Sequence, residues 1–190
     1  MAITKSIMAA ARDQFIARGV EGAVMDTIAA NAGITRSALY ARYTTKEALF
    51  DAVAVDFFAR WGLARAFKRL PKGSKPQSIL RNECRNIAML FASNEWREHQ
   101  ALLRAAGPQL LHYREKSNEG YLQLVVDLAA DIAPALPENG SPNGPKNAAK
   151  IIVMALYGWW QLEQGVRAIS KGEALAFADQ LAELVSVASR

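Results

Sequence analysis

Apolar positions recur at helical spacing along almost the whole chain. Ile3, Ile7, Ala11 and Phe15 follow one another every four residues, with Met8 beside them. That spacing predicts an amphipathic helix closed by Gly19. Ile28, Ala29 and Ala32 lie on one face of a second, short helix. Gly33 ends it, because a left-handed turn residue costs least as glycine. Ile34 and Leu39 plug the angle to a third helix, and Ala29 is small where that helix crosses. Thr44 or Thr45 caps a fourth, and Thr44 with Glu47 has capping-box spacing.

The pattern continues as helix after helix. The fourth is predicted from about Lys46 to Arg69, where Pro71, Gly73 and Pro76 break it. Leu80, Cys84, Ile87 and Phe91 stripe a fifth. Asn94 starts a sixth that Gly107-Pro108 closes, and Tyr121, Val125, Leu128 and Ile132 stripe a long seventh. Pro134 to Lys146, rich in proline and glycine, reads as an exposed loop. No internal repeat and no strand-like alternation interrupts this. The expected fold is all-α with about nine helices. Residues 1–46 would form a three-helix N-terminal domain and residues 47–190 a larger helical one.

The last two helices carry a narrower pattern. Ile151, Ala155, Gly158, Leu162, Gly165 and Ile169 alternate steps of four and three, as a helix–helix seam does. Ala174, Phe177, Leu181, Leu184 and Ala188 do the same in the final helix. Two adjacent seams suit an intermolecular four-helix bundle. The other possibility is that both face the protomer's own core. Ile152, Leu156 and Trp159 form a neighbouring apolar stripe, so one stripe can serve the core and another a dimer through Ile151, Ala155, Gly158, Leu162, Gly165, Phe177, Leu181 and Leu184.

Composition narrows the class. Of 190 residues, 51% are hydrophobic, enough for a substantial core. No apolar run approaches the roughly 20 residues of a membrane span. The first residues lack a signal-peptide core, so no membrane partner is expected and the cytoplasm is the default location. A single cysteine excludes an intramolecular disulfide framework. The net charge of +5 agrees with a polyanionic partner. Arg60, Arg65, Lys68, Arg69, Lys72, Lys75, Arg81 and Arg85 stand against Glu83 alone. This run is either a solvated helix end and loop or added attraction to DNA or an anionic ligand.

Residues 28–40 read as a helix-turn-helix, whose second helix is free to enter a DNA major groove. With Leu39 assigned to the core, that helix exposes Thr35, Arg36, Ser37, Ala38, Ala41 and Arg42. Arg36 and Ser37 occupy the first turn, which usually reaches base edges. The Arg36 fork suits guanine O6 and N7, and Ala38 suits a thymine methyl. Thr35 is a cap whose hydroxyl can also reach the backbone. Lys46 opens the fourth helix, where its ammonium and the helix N-terminus can share one phosphate.

As a set, Ile7 through Ala11, Phe15, Gly19, Ile28-Ala29, Ala32-Gly33-Ile34, Leu39-Tyr40, Tyr43 and Lys46 through Leu49 resemble the TetR (tetracycline-repressor) family of bacterial regulators. The resemblance covers about the first 50 residues. It implies that Tyr40 presents its hydroxyl to a phosphate, that the last helices make a homodimer, and that a small effector entering the larger domain moves two DNA-binding domains apart. Repression of double-stranded operator DNA is the implied action. The chain departs from the family where a Thr or Ser normally starts the second helix, because Ala23 and Val24 stand there. That suggests a weaker cap, by about 1 kcal/mol, with Asp26 offering partial replacement through the helix dipole. Tyr43 stands where the family more often has Phe.

The larger domain shows no catalytic set, so neither an enzyme nor a cofactor is expected. His99 and His112 lack metal-ligand spacing with each other or with Cys84, although Glu95 and Glu98 flank His99. Cys84 falls on an apolar stripe and reads as a buried thiol. Aromatic residues from several helices suggest a small-molecule site, with Trp61, Phe91, Trp96, Tyr121, Trp159 and Glu163 as candidates. Glu163 continues an apolar stripe, and a carboxylate there needs a partner. Such walls suit an amphipathic aromatic or cationic effector. Two alternatives stay open: a helical DNA-binding factor without a ligand, and a helical enzyme or carrier with a vestigial helix-turn-helix.

Overall fold

The computed structural model describes residues 2–64, 69–107, 110–136, 144–164 and 169–188. Among these there are nine α-helices and one 3-10 turn, with no strand. The helices are α1 (Ala2–Gly22), α2 (Met25–Asn31), α3 (Arg36–Tyr40), α4 (Lys46–Ala64), α5 (Pro76–Phe91), α6 (Asn94–Ala106), α7 (Leu111–Ile132), α8 (Gly144–Gln164) and α9 (Lys171–Ala188), with the 3-10 turn at Ala133–Ala135 after α7.

The chain divides into two compact units. The first comprises Met1–Arg65 and Glu98–Ser117. It is larger than the expected 46-residue domain, for a physical reason. Ile7, Ala11 and Phe15 of α1 are fully buried, as are Leu49 and Phe50 of α4. Phe50 meets Phe15 edge-on at 5.3 Å and Tyr113 of α7 at the same distance. Three short helices cannot bury that much aromatic surface alone.

Local signals fix the ends of these helices. Gly19 leaves the helical conformation at φ 69°, ψ 170°, where the expected break falls. Gly33, at φ 70°, turns the chain after α2. Thr45 caps α4, its Oγ1 accepting the Ala48 amide at 3.0 Å. The cap is therefore Thr45, and Thr44 with Glu47 does not form the capping box that their spacing offered. Ser93 caps α6, its Oγ accepting the Trp96 amide at 3.0 Å. The expected fourth helix reached Arg69, but Arg69 and Leu70 are not helical. The expected loop ran to Lys146, whereas Gly144 and Pro145 already open α8, since proline is well tolerated in a first helical turn.

The second unit comprises Ala66–Arg97 and Asn118–Arg190. Its main packing is α5 against α9. The α5 stripe Leu80, Cys84, Ile87 and Phe91 is buried throughout, as the periodicity predicts. From α8 the core takes Ala149, Ile152, Val153, Leu156 and Trp160. Burial, with Glu83 and Asp179 nearby, pushes the Cys84 thiol up to about 12, so it behaves as a core atom. No helix among the described residues is long and apolar enough to cross a membrane.

Candidate nucleic-acid interface

The helix-turn-helix is built by α2 and α3. Thr35 takes an extended backbone, and its Oγ1 accepts the Ala38 amide at 3.2 Å and lies 3.1 Å from Ser37 Oγ. Leu39 is fully buried and anchors the helix, so the opposite face looks outward. Thr35, Arg36, Ser37, Ala41 and Arg42 are exposed, while Ala38 and Tyr40 are half-buried.

The cations on this face are held. Arg36 Nη1 donates to Asp26 Oδ2 at 2.9 Å, and its guanidinium lies over the Tyr40 ring, 5.3 Å from the centroid. Arg42 Nη1 donates to the Ala38 carbonyl at 3.3 Å. Lys46 Nζ donates to the Glu21 carbonyl, which places it beside the end of α1. Val24 occupies the N-cap of α2 in extended conformation and provides no side-chain hydrogen bond. Asp26 is the acidic residue of that first turn, as expected. Its engagement with Arg36, ten residues on, leaves no sequence signal, because the contact crosses a turn between two helices.

Behind α4 lies a buried polar group. His99 of α6 is 1% exposed. Its Nδ1 lies 3.2 Å from the Tyr113 hydroxyl and its Nε2 2.9 Å from Ser117 Oγ. Its ring turns inward, among Phe57, Phe58 and Tyr113. Burial pushes its pKa down to about 4. Arg12 and Glu98, 3.6 Å apart, form an ion pair within the same unit.

The effector candidates are only partly brought together. Phe91 and Trp96 meet at 4.7 Å, and Trp96 meets Tyr157 and Trp160 each at 6.0 Å. Tyr157 and Trp160 belong to the aromatic residues from several helices that suggested such a site. Trp160, one turn after Leu156, continues the Ile152–Leu156 stripe into the core, and its Nε1 is buried with no acceptor among the described residues. Trp159 instead stacks on Phe177 of α9 at 4.7 Å, so Trp160 rather than Trp159 carries the stripe inward. Tyr121 stands 38% exposed on α7, and no ring contact joins it to the cluster among the described residues. Glu163 is half-buried near the end of α8, and the Trp61 side chain lies outside the described residues. Sequence reasoning also passed over Glu83. It is buried, and its carboxylate accepts from Asn82 at 2.8 Å and Asn86 at 3.1 Å.

The seam residues separate into two groups. Ile151, Leu162 and Leu184 are 59–77% exposed, and Met154 joins them on the same side of α8. Ala155, Gly158 and Phe177 are half-buried. Leu181 is buried within the protomer. Gly165 lies outside the described residues, as does the Ala188 side chain.

Three arginines of the basic run, Arg69, Arg81 and Arg85, pair with carboxylates. Arg85 makes a two-pronged contact with Asp179, both distances 2.6 Å, and Arg81 approaches the same carboxylate at 3.8 Å. Arg85 holds the Asp179 carboxyl below its ordinary range. Arg69 pairs with Asp131 at 3.2 Å. Arg65 and Lys68 lie outside the described residues, as does the Arg60 side chain.

Residues 7–53 match the family model of bacterial regulatory proteins, tetR family. Solved structures share the whole fold. A TetR-like transcriptional regulator from Rhodococcus sp. RHA1 is 23% identical with TM-score 0.69, over 95% of this chain and 93% of that one. GusR of Salmonella enterica is 21% identical with TM-score 0.66, over 98% and 95%. NalD of Pseudomonas aeruginosa, the secondary repressor of the MexAB-OprM multidrug efflux pump, is 18% identical with TM-score 0.58, over 98% and 96%. No curated protein sequence matches. The helix-turn-helix lies inside the matched stretch, so the N-terminal part of the chain is similar to bacterial regulatory proteins of the tetR family, and the chain has the fold of these solved structures.

Proposed function

We propose that this chain is a TetR-family transcriptional regulator whose N-terminal helix-turn-helix binds DNA, acting as a homodimeric repressor released from operator DNA by a small amphipathic or aromatic molecule. The observation that carries the dimer is the apolar face of Ile151, Met154 and Leu162 on α8, with Leu184 on α9. Large aliphatic side chains left this exposed at helical spacing mark an interaction surface. A Cβ at Gly158, on the same seam, would meet nothing within 4 Å among the described residues, which leaves room for a second helix to approach closely. A two-fold dimer would set its recognition helices about 34–36 Å apart, to meet successive major grooves.

The effector reading rests on the Phe91, Trp96, Tyr157 and Trp160 cluster. Aromatic walls with a few directed polar groups are the usual small-molecule site. The buried Trp160 N–H offers a donor to a ligand acceptor. Glu163, half-buried near the end of α8, is the carboxylate proposed to meet a cationic effector. NalD, of similar fold, represses a multidrug efflux pump. An effector that binds one spacing of the recognition helices better than another lowers DNA affinity by that difference.

The test uses a duplex selected from a random library by the full chain. A panel of amphipathic cations and neutral aromatics is titrated, following tryptophan fluorescence and duplex release together. Quenching and release at the same concentrations support the reading. Quenching without release, or a sedimentation mass of one chain, overturns it.

A further inference from the structure

The Asp26–Arg36 contact joins the two helices of the DNA-reading motif at its outer face. Both residues are exposed, so their pairing contributes little to stability. Its geometry matters more. Asp26 sits in the first turn of α2, where the helix dipole favours a carboxylate. Arg36 is the first residue of α3 and would otherwise sweep a wide arc on its long stem. Asp26 holds Nη1 at 2.9 Å, and Tyr40 supports the guanidinium plane from below. With Nη1 taken, the Nε–Nη2 edge keeps the two parallel N–H donors that match guanine O6 and N7.

We infer that Asp26 is a positioning residue for base recognition, fixing the Arg36 fork before DNA arrives. This rests on Arg36 reading a base, as the helix-turn-helix geometry implies. The carboxylate also places a negative charge where phosphates approach. It therefore weakens attachment to arbitrary sequence while sharpening the preferred one.

The experiment measures Kd for the selected duplex, for each single-base variant of it, and for a random duplex, with the full chain and three variants. Arg36→Ala flattens discrimination at one position of each half-site. Asp26→Asn is expected to reduce discrimination at that same position by about two- to fivefold, the range of an exposed ion pair. Discrimination elsewhere is kept, and the random-duplex Kd is unchanged or tighter. In the double variant, Asp26→Asn adds nothing further at that position. If Arg36→Ala flattens the position and Asp26→Asn does not, the positioning role is overturned while base reading survives. If Arg36→Ala changes no position, base reading and the inference fall together. Loss of all binding by Asp26→Asn with an unchanged melting curve also overturns the inference, because it assigns Asp26 a direct contact.

Discussion

His99 lies flat against Phe57, with ring centroids 5.4 Å apart and planes 8° from parallel. A neutral imidazole suits that position, and a charged one loses its water there. The folded state binds the proton only near pH 4, against an ordinary value of 6.5. Between these values the unfolded chain holds more protons, so stability falls as pH drops through that window and is intact above it. The loss approaches about 3 kcal/mol at pH 4. Chemical denaturation at intervals from pH 7.5 to 4 measures it. His99→Gln, which does not titrate, is expected to remove most of that slope.

Val24→Thr is expected to stabilise the chain. The position is the N-cap of α2, already extended, and lacks a side-chain hydrogen bond. A hydroxyl there satisfies one orphan amide and adds about 1 kcal/mol. Urea unfolding reads the gain. A loss would mean that the exposed valine packs better than its surroundings indicate.

Lys46→Ala is expected to weaken binding to all duplexes alike. The lysine opens α4 beside the end of α1, where its charge would meet a phosphate rather than a base. The slope of log Kd against log salt should become shallower by about 0.9 per half-site. A sequence-dependent loss would reassign Lys46 to base reading.

Gly158→Leu is expected to separate association from folding. A Cβ at Gly158 meets nothing within 4 Å among the described residues. The monomer fold should therefore accept the larger side chain, while a close-packed dimer loses about 1–3 kcal/mol. Sedimentation equilibrium reports the dimer and a melting curve at low concentration the monomer. A destabilised monomer with unchanged association would place Gly158 against its own chain.

The sequence reveals most where one period governs. The α5 stripe through Leu80, Cys84, Ile87 and Phe91 needs only the helical repeat, and all four are buried. The helix-turn-helix is equally legible, because Gly33 and Thr35 each have a local task that few residue types perform. Legibility fails where neighbours compete for one role. Thr44 and Thr45 both can cap, and only backbone geometry selects Thr45. Trp159 and Trp160 differ by 100° around α8, a step that an apolar run does not resolve. Contacts between helices, such as Asp26 with Arg36, leave no periodic trace.

The unit that carries the recognition helix is assembled from two stretches of chain, Met1–Arg65 and Glu98–Ser117. Phe50 and Phe57 are covered in part by Tyr113 and His99, which are made long after α3 during synthesis. A nascent or proteolysed fragment that stops soon after α4 leaves those aromatic rings in water. The reading head is therefore no detachable cassette. Exchanging it between regulators by cutting after the helix-turn-helix would split a core, and a workable chimera must carry both stretches from one parent.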